Sequence, residues 1–234
     1  MEMKHTFNIA IDGPAGAGKS TIAKAVARRL GFIYVDTGAM YRAMALYFIR
    51  GHMAAEDQEG ISRSCKDIKI EIRHQEDGQQ VYLNDENVTD LIRTEAVGNM
   101  ASAISVYPAV RAHLLELQRS LAAASDVIMD GRDIGTCILP DADVKIFLTA
   151  SSRVRAIRRY KELTEKGIMC NLEEIEQDIE ERDQRDSTRA TAPLKQAEDA
   201  VLVDGSEMTV EAVIETIIRI AGEQGLAAED QRWK

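Results

Sequence analysis

Cysteine is scarce and scattered. Cys65, Cys137 and Cys170 form no CxxC pair and show no Cys/His ligand spacing. That pattern argues against a structural zinc site or a disulfide framework, and it fits a reducing, cytoplasmic setting. Positive charge is in deficit too. The chain has 29 lysines and arginines against 39 acids, a formal charge of −10, so it lacks the broad basic surface that non-specific nucleic-acid binding draws on. A local anion site is still open to it, because a few arginines converging in a cleft can outweigh the global sign. No apolar window approaches the roughly 20 residues of a membrane span. Asp12 interrupts the N-terminal apolar run before it reaches signal-peptide length. No internal repeat or low-complexity tract is visible. Neither a nucleic acid nor a membrane is therefore an expected partner. The 234 residues suffice for one α/β domain with an insertion or for two small domains. Disorder is expected only in the tail GEQGLAAEDQRWK (222–234).

Five apolar runs read as buried strands: FNIAI (7–11), FIYV (32–35), DVIM (126–129), VKIFLT (144–149) and AVLVD (200–204). Near-continuous β-rich runs separated by helical stretches are what a parallel sheet covered on both faces requires. Helices are expected over 19–30, 39–50, 93–104, 108–123, 151–166, 172–190 and 209–222, with Pro108 opening one and Gly51 closing another. Residues 68–89 break this rhythm. There Ile68, Ile70, Ile72, Val81 and Leu83 alternate with polar residues around the turn EDGQ, the pattern of an antiparallel hairpin with one solvated face. The reading is an insertion over 52–104 in a core made of 1–51 and 105–234.

The stretch IEERDQRDSTRA (179–190) is harder to place. On a helix Arg182, Asp186 and Arg189 share one stripe, with Arg185 just beside it. By composition alone this is an ordinary solvated face.

GPAGAGKS (13–20) matches G-x-x-x-x-G-K-S/T, entered by an apolar strand and left by a helix. Gly13, Gly16 and Gly18 let the backbone of Pro14–Thr21 wrap so that its N–H groups, those of Ala15 and Ala17 among them, can turn towards phosphate oxygens, and the helix adds its positive end. Lys19 can reach the β- and γ-phosphates, and the hydroxyls of Ser20 and Thr21 follow it, Ser20 as a Mg²⁺ ligand. A nucleoside triphosphate is the expected ligand. A guanine-reading N/T-K-x-D element, an LSGGQ-like signature and a hydrophobic strand ending in two acids are all missing. The first two mark GTP-dependent switches and transporter ATPases, and the third is common in motor ATPases.

Arginines stand instead near strand ends. DTGAMYRAM (36–44) follows the second strand, with Asp36 and Thr37 suited to cap a helix and with Tyr41 and Arg42 one turn on. Open α/β sheets place ligands at that end of the strands. DGRDIG (130–135) follows the third strand, with Asp130 where an acid would hold Mg²⁺ water and Arg132 and Asp133 facing the same crevice.

In this order, GPAGAGKS, DTGAMYR, DGRDIGT, VKIFLTAS and ERDQRDSTR resemble bacterial cytidylate kinases, nucleoside monophosphate kinases of the P-loop superfamily. The likeness runs through nearly the whole chain except the C-terminal tail. It implies an α/β P-loop NTPase fold: a five-stranded parallel sheet with helices on both faces, a small antiparallel β insertion that binds the monophosphate, and a helical lid over about 153–190. It also implies Mg²⁺-dependent transfer from ATP to CMP and dCMP by a monomer. Carried over position by position, the resemblance gives Arg42, Arg132 and Arg189 to the monophosphate. Thr37, Ser102, Arg111 and Asp133 go to cytosine, Arg182 and Asp186 to the ribose hydroxyls, and Tyr41 joins the same site. Arg158 and Arg159 close over the transferred group beside Lys19 and Arg132, and Ser20 and Asp130 hold the metal.

Chemistry agrees with these roles. Guanidinium forks match phosphate oxygens bidentately, and a carboxylate such as Asp133 suits the amino donor that separates cytosine from uracil. Alternatives are a related kinase for UMP, AMP or a small metabolite, and a slowly hydrolysing nucleotide-binding module. His5, His52, His74 and His113 read as surface or packing residues, Met40 and Met44 as core, and the acids of 171–181 as a solvated lid face. Trp233 carries no inferable role. Arg185 serves either the triphosphate side or a neighbouring carboxylate.

Overall fold

The computed structural model describes residues 5–75 and 78–226. The chain runs β1 (Asn8–Asp12), α1 (Lys19–Leu30), β2 (Ile33–Asp36), α2 (Thr37–Arg50) and α3 (Gln58–Ser64). Next come β3 (Ile70–Gln75), β4 (Gly78–Leu83), β5 (Glu86–Asn87), α4 (Glu95–Ile104) and α5 (Pro108–Ala124). The second half is β6 (Val127–Gly131), β7 (Val144–Thr149), α6 (Ser152–Glu165), α7 (Leu172–Thr188), β8 (Val201–Asp204) and α8 (Val210–Glu223).

All five strands of the main sheet are parallel, in the order β2-β6-β1-β7-β8. Alternation along each strand sorts side chains onto two faces. Ala10, Val127 and Met129 join one buried cluster with α2, α4 and α5. Ile9, Ile11 and Ile128 join the other, with α1 and α8. Helices on both faces explain why these runs are apolar throughout. The chain leaves β1 towards β2 on one side, and β6 and β7 flank β1. That arrangement opens a crevice at the carboxyl ends of the strands. Asp12, Asp36, Asp130 and Gly131 stand in register at that end.

The small sheet β3-β4-β5 is antiparallel. Ile68, Ile70, Val81 and Leu83 are buried and belong to the same cluster as Val35 and Met40 of the main layer. The insertion therefore shares its hydrophobic core with the front of the sheet. Phe48 lies at 0% exposure in that cluster, and Phe48→Ala is expected to lower stability by about 3–5 kcal/mol. A lower urea midpoint with unchanged slope would report it, and an unmoved midpoint would contradict the packing.

Both sheets, the helices and their order follow the expectation, and the differences are local. Helix α3 has no counterpart in the sequence reading. A glycine sits inside it, and a Cβ on Gly60 would come within 2.2 Å of the capping Asp57 carboxylate. Gly51 closes α2 at φ −81, and the left-handed residue is His52 at φ 52. A π-helical turn (Ile134–Ile138) follows β6. The expected disordered tail begins too early: α8 runs through Glu223 and Leu226 is buried. The rest of that tail, with Trp233, and the hairpin-turn residues Glu76 and Asp77 lie outside the described residues.

Candidate functional site

The loop between β1 and α1 is shaped by what surrounds it. Gly13 has φ +150, and a Cβ there would lie 1.9 Å from the Leu148 carbonyl oxygen at the end of β7. Gly16 and Gly18 are left-handed as well, which bends the backbone around the α1 N-terminus. Lys19 is 6% exposed and its Nζ donates to the Pro14 carbonyl at 2.7 Å, so the ammonium folds back over the loop. Burial, then the neighbouring Arg132, push its pKa below the ordinary range, against the pull of Asp130, Asp12 and Asp186. Ala15, Gly16, Gly18, Lys19, Ser20 and Thr21 line the crevice. Gly13, Pro14 and Ala17 of the loop do not line it.

Asp130 is the hub beneath the loop. Its Oδ2 accepts from the Ser20 hydroxyl at 2.9 Å and its Oδ1 from the Tyr34 phenol at 2.8 Å. Its backbone carbonyl accepts from Thr37 Oγ1 at 2.7 Å. Burial, then Asp36, raise the Asp130 pKa, so this carboxylate gains from a nearby cation. No cluster of three His, Cys, Asp or Glu groups suited to a metal occurs among the described residues. A serine beside one carboxylate nevertheless fits Mg²⁺, which keeps several waters and takes phosphate oxygens as ligands.

Beyond the loop lies a crevice of about 530 Å³ in which arginines crowd. Arg132 comes from the loop after β6 and donates through Nε to Asp186 Oδ2 of α7 at 2.9 Å. Asp133 is 4% exposed and ion-paired with Arg111 of α5 and, at 3.5 Å, with Arg189 just past α7. Burial raises the Asp133 pKa despite these two cations. Burial pushes the Asp186 carboxyl up as well, but Arg132, Arg182 and Arg189 together hold it below the usual range. Arg182 is the exception among the crevice cations, since its buried Nε has no hydrogen-bond partner among the described residues. Arg42 reaches from α2 to the carbonyls of Ile92 and Thr94 at 3.2 and 3.4 Å, and Gly98 leaves room for it. Tyr41 lies 5.9 Å below the Arg111 guanidinium, and Ser102 lines the same wall.

The acceptor-side candidates Thr37, Tyr41, Arg42, Ser102, Arg111, Arg132, Asp133, Arg182, Asp186 and Arg189 thus line one crevice with Lys19 and Ser20. Arg158 and Arg159 line its mouth while exposed, one bonded to the Gly205 carbonyl at 2.7 Å and the other to Glu162 at 2.9 Å. Arg185 is turned away, into a shallow depression with Glu180, Glu181 and Gln184.

Sequence reasoning missed several residues here. Arg155 is 5% exposed and ties α6 to the Ala15 and Ala150 carbonyls at 2.8 Å and to Asp183 of α7 at 2.5 Å. Its spacing of three and four from Arg158 and Arg159 was an available signal. Arg93 bonds Asp36 at 3.0 Å at the crevice wall. The Gln79 amide pairs with both the N–H and the C=O of Asp36, joining β4 to the head of α2. Neither Arg93 nor Gln79 carries a local motif.

Residues 9–223 match the family described as cytidylate kinase. A cytidylate kinase of Carboxydothermus hydrogenoformans is 47% identical over 216 residues, covering 92% of this chain and 97% of its own. One from Alkaliphilus metalliredigens is 50% identical over 212 residues, covering 91% and 94%. Among solved structures, an uncharacterized protein from Eubacterium ventriosum superposes with a TM-score of 0.52 at 12% identity, covering 93% of this chain and 99% of the other. A likeness at that identity speaks to the fold.

Proposed function

The chain belongs to the cytidylate kinase family, and from that premise we propose how its crevice moves a phosphoryl group from ATP to CMP, giving ADP and CDP. The observation that carries the assignment of roles is the meeting of Lys19 with Arg42, Arg132, Arg182 and Arg189 in one crevice of a chain with net charge −10. Two phosphate clusters must be pressed together here, and local cations are what offsets their repulsion.

The acceptor is already an anionic phosphate oxygen, so the reaction needs no strong base. Catalysis rests on in-line positioning and charge neutralisation. The loop amides hold the triphosphate, and Lys19 leaves the Pro14 carbonyl to meet the β- and γ-phosphates. Arg42, Arg132 and Arg189 grip the CMP phosphate, and Arg182, which lines the crevice beside Asp186, offers its guanidinium to a ribose hydroxyl. Ser20 and Asp130 would hold Mg²⁺, which would supply neutralisation of the phosphate charge there. Arg158 and Arg159 release Gly205 and Glu162 and close over the transferred group, and closure of α6 and α7 excludes water.

Base choice follows from proton bookkeeping. The Thr37 hydroxyl spends its proton on the Asp130 carbonyl and keeps its lone pairs as acceptors. Asp133, gripped by Arg111 and Arg189, is an acceptor too. Cytosine presents an amino donor to such groups, whereas uracil presents a carbonyl. The family resemblance supports dCMP as a second acceptor, residues 52–104 as the monophosphate-binding insertion, and a cytoplasmic monomer serving pyrimidine nucleotide metabolism. The three free thiols suit that compartment.

A coupled assay with ATP, Mg²⁺ and CMP, dCMP, UMP or AMP in parallel tests the reading. The native chain prefers CMP and dCMP. Asp133→Asn lets an amide N–H₂ meet the uracil carbonyl, so the CMP-to-UMP ratio of kcat/KM falls about 10- to 100-fold. An unchanged ratio removes Asp133 from base recognition.

A further inference from the structure

Asp12 touches neither nucleotide in the roles above, although its charge favours the Lys19 ammonium; it is 5% exposed and both its oxygens are occupied. Oδ1 accepts the backbone N–H of Ile134 and Oδ2 that of Gly135, each at 2.8 Å. These are the first two amides of the π-helical turn, whose own bonds run from Ile138 to Asp133 and from Leu139 to Ile134. The leading amides of any helical turn have no partner within it, and Asp12 supplies one for each. The turn packs closely here: a Cβ on Gly135 would lie 3.1 Å from Lys145 Cδ and in ordinary contact, 3.5 Å, with Asp12 Oδ2. Asp12 immediately precedes Gly13, the first glycine of the phosphate loop. Arg132 and Asp133 immediately precede Ile134.

A buried carboxylate is an unfavourable choice for this position on two counts. Desolvation opposes its charge, and burial pushes its pKa up to about 6. Its negative charge also stands beside a site for two polyanions. What its two hydrogen bonds supply is geometry. We propose that Asp12 is a positioning residue: by clamping the Ile134–Gly135 backbone it sets where Arg132 and Asp133 meet CMP, and it locks the acceptor loop to the root of the phosphate loop. The proposal rests on the reading that Arg132 and Asp133 hold CMP.

Electrostatics and geometry predict opposite signs for Asp12→Asn. Removing a negative charge near phosphates would by itself tighten CMP binding. The asparagine amide, however, offers one acceptor and turns its N–H₂ against the other backbone N–H. Calorimetric titration is therefore expected to show CMP affinity falling about tenfold, with a non-hydrolysable ATP analogue bound within about twofold of the native affinity. Amide exchange at residues 134 and 135 should accelerate in Asp12→Asn while that of β1 stays protected, which a general loss of fold would not allow. Tighter or unchanged CMP binding in Asp12→Asn, or an equal loss for both nucleotides, overturns the clamp. Arg132→Ala run in parallel separates the two ideas. If it weakens CMP while Asp12→Asn does not, the clamp alone fails. If it leaves CMP binding intact, the reading of the acceptor site fails with it.

Discussion

Arg132→Ala lowers kcat/KM for CMP by about 10²–10³-fold and weakens CMP binding in calorimetry, while the affinity for an ATP analogue changes little. The reason is its double engagement. Its Nε holds Asp186 at 2.9 Å and its NH1 touches the Gly131 carbonyl at 3.4 Å, which leaves the outer edge of the fork for phosphate oxygens. Truncation removes that fork and leaves the buried Asp186 carboxylate without its partner. Arg132→Lys restores charge but not the planar, bidentate fork, so it should recover binding only in part. Stability needs separate measurement, because Asp186 is 6% exposed and loses a neighbour. CMP bound by Arg132→Ala as tightly as by the native chain would mean that this arginine is a strut for α7 and not a phosphate ligand.

Lys19→Met should be more severe still. Turnover is expected to fall by at least about 10³-fold, since no other cation rises from within the loop. The methionine keeps the length of the stem in a site only 6% exposed, so loss of fold is not the cause of the defect. A pH series gives a second readout. In the free protein, burial and Arg132 lower the Lys19 pKa from its ordinary 10.5. Bound phosphates favour the charged form and raise it again. Binding therefore takes up a proton wherever the free lysine is neutral, and ATP affinity falls as pH rises from neutrality towards the ordinary ammonium range. In Lys19→Met that fall should be missing. Equal slopes in the two proteins would place the titrating group elsewhere.

Legibility in this chain follows distance along the sequence. The strand–GPAGAGKS–helix unit depends on consecutive residues, so its glycines, lysine and serine could be read directly. The strands and most helices were legible because period 2 and period 3.6 are local patterns. Helix α3 was not, because its start depends on an aspartate cap and its interior glycine looks like a break. The arginine row in 179–190 shows the limit more sharply. Spacing placed Arg182, Asp186 and Arg189 on one helical stripe with Arg185 beside it, but α7 ends at Thr188 and Arg189 reaches the site from extended backbone (φ −62, ψ 140). Nor can spacing say which side faces a cavity. Packing of α7 against α6 and the β6 loop decided that. Arg182 lines the crevice, and Arg185 sits among Glu180, Glu181 and Gln184.

By itself, then, the sequence determined the phosphate-binding loop, the α/β alternation with its antiparallel insertion, and the arginine motifs at strand ends, because each is written in short contiguous segments. Only the tertiary structure decided how the charges pair. Asp12 meets Ile134 from 122 positions away, Asp133 is caught between Arg111 and Arg189, and Arg155 reaches Ala15 across 140 positions. Hydrogen bonds and ion pairs act over about 3–4 Å, and at that range neighbours are set by the fold and not by order along the chain.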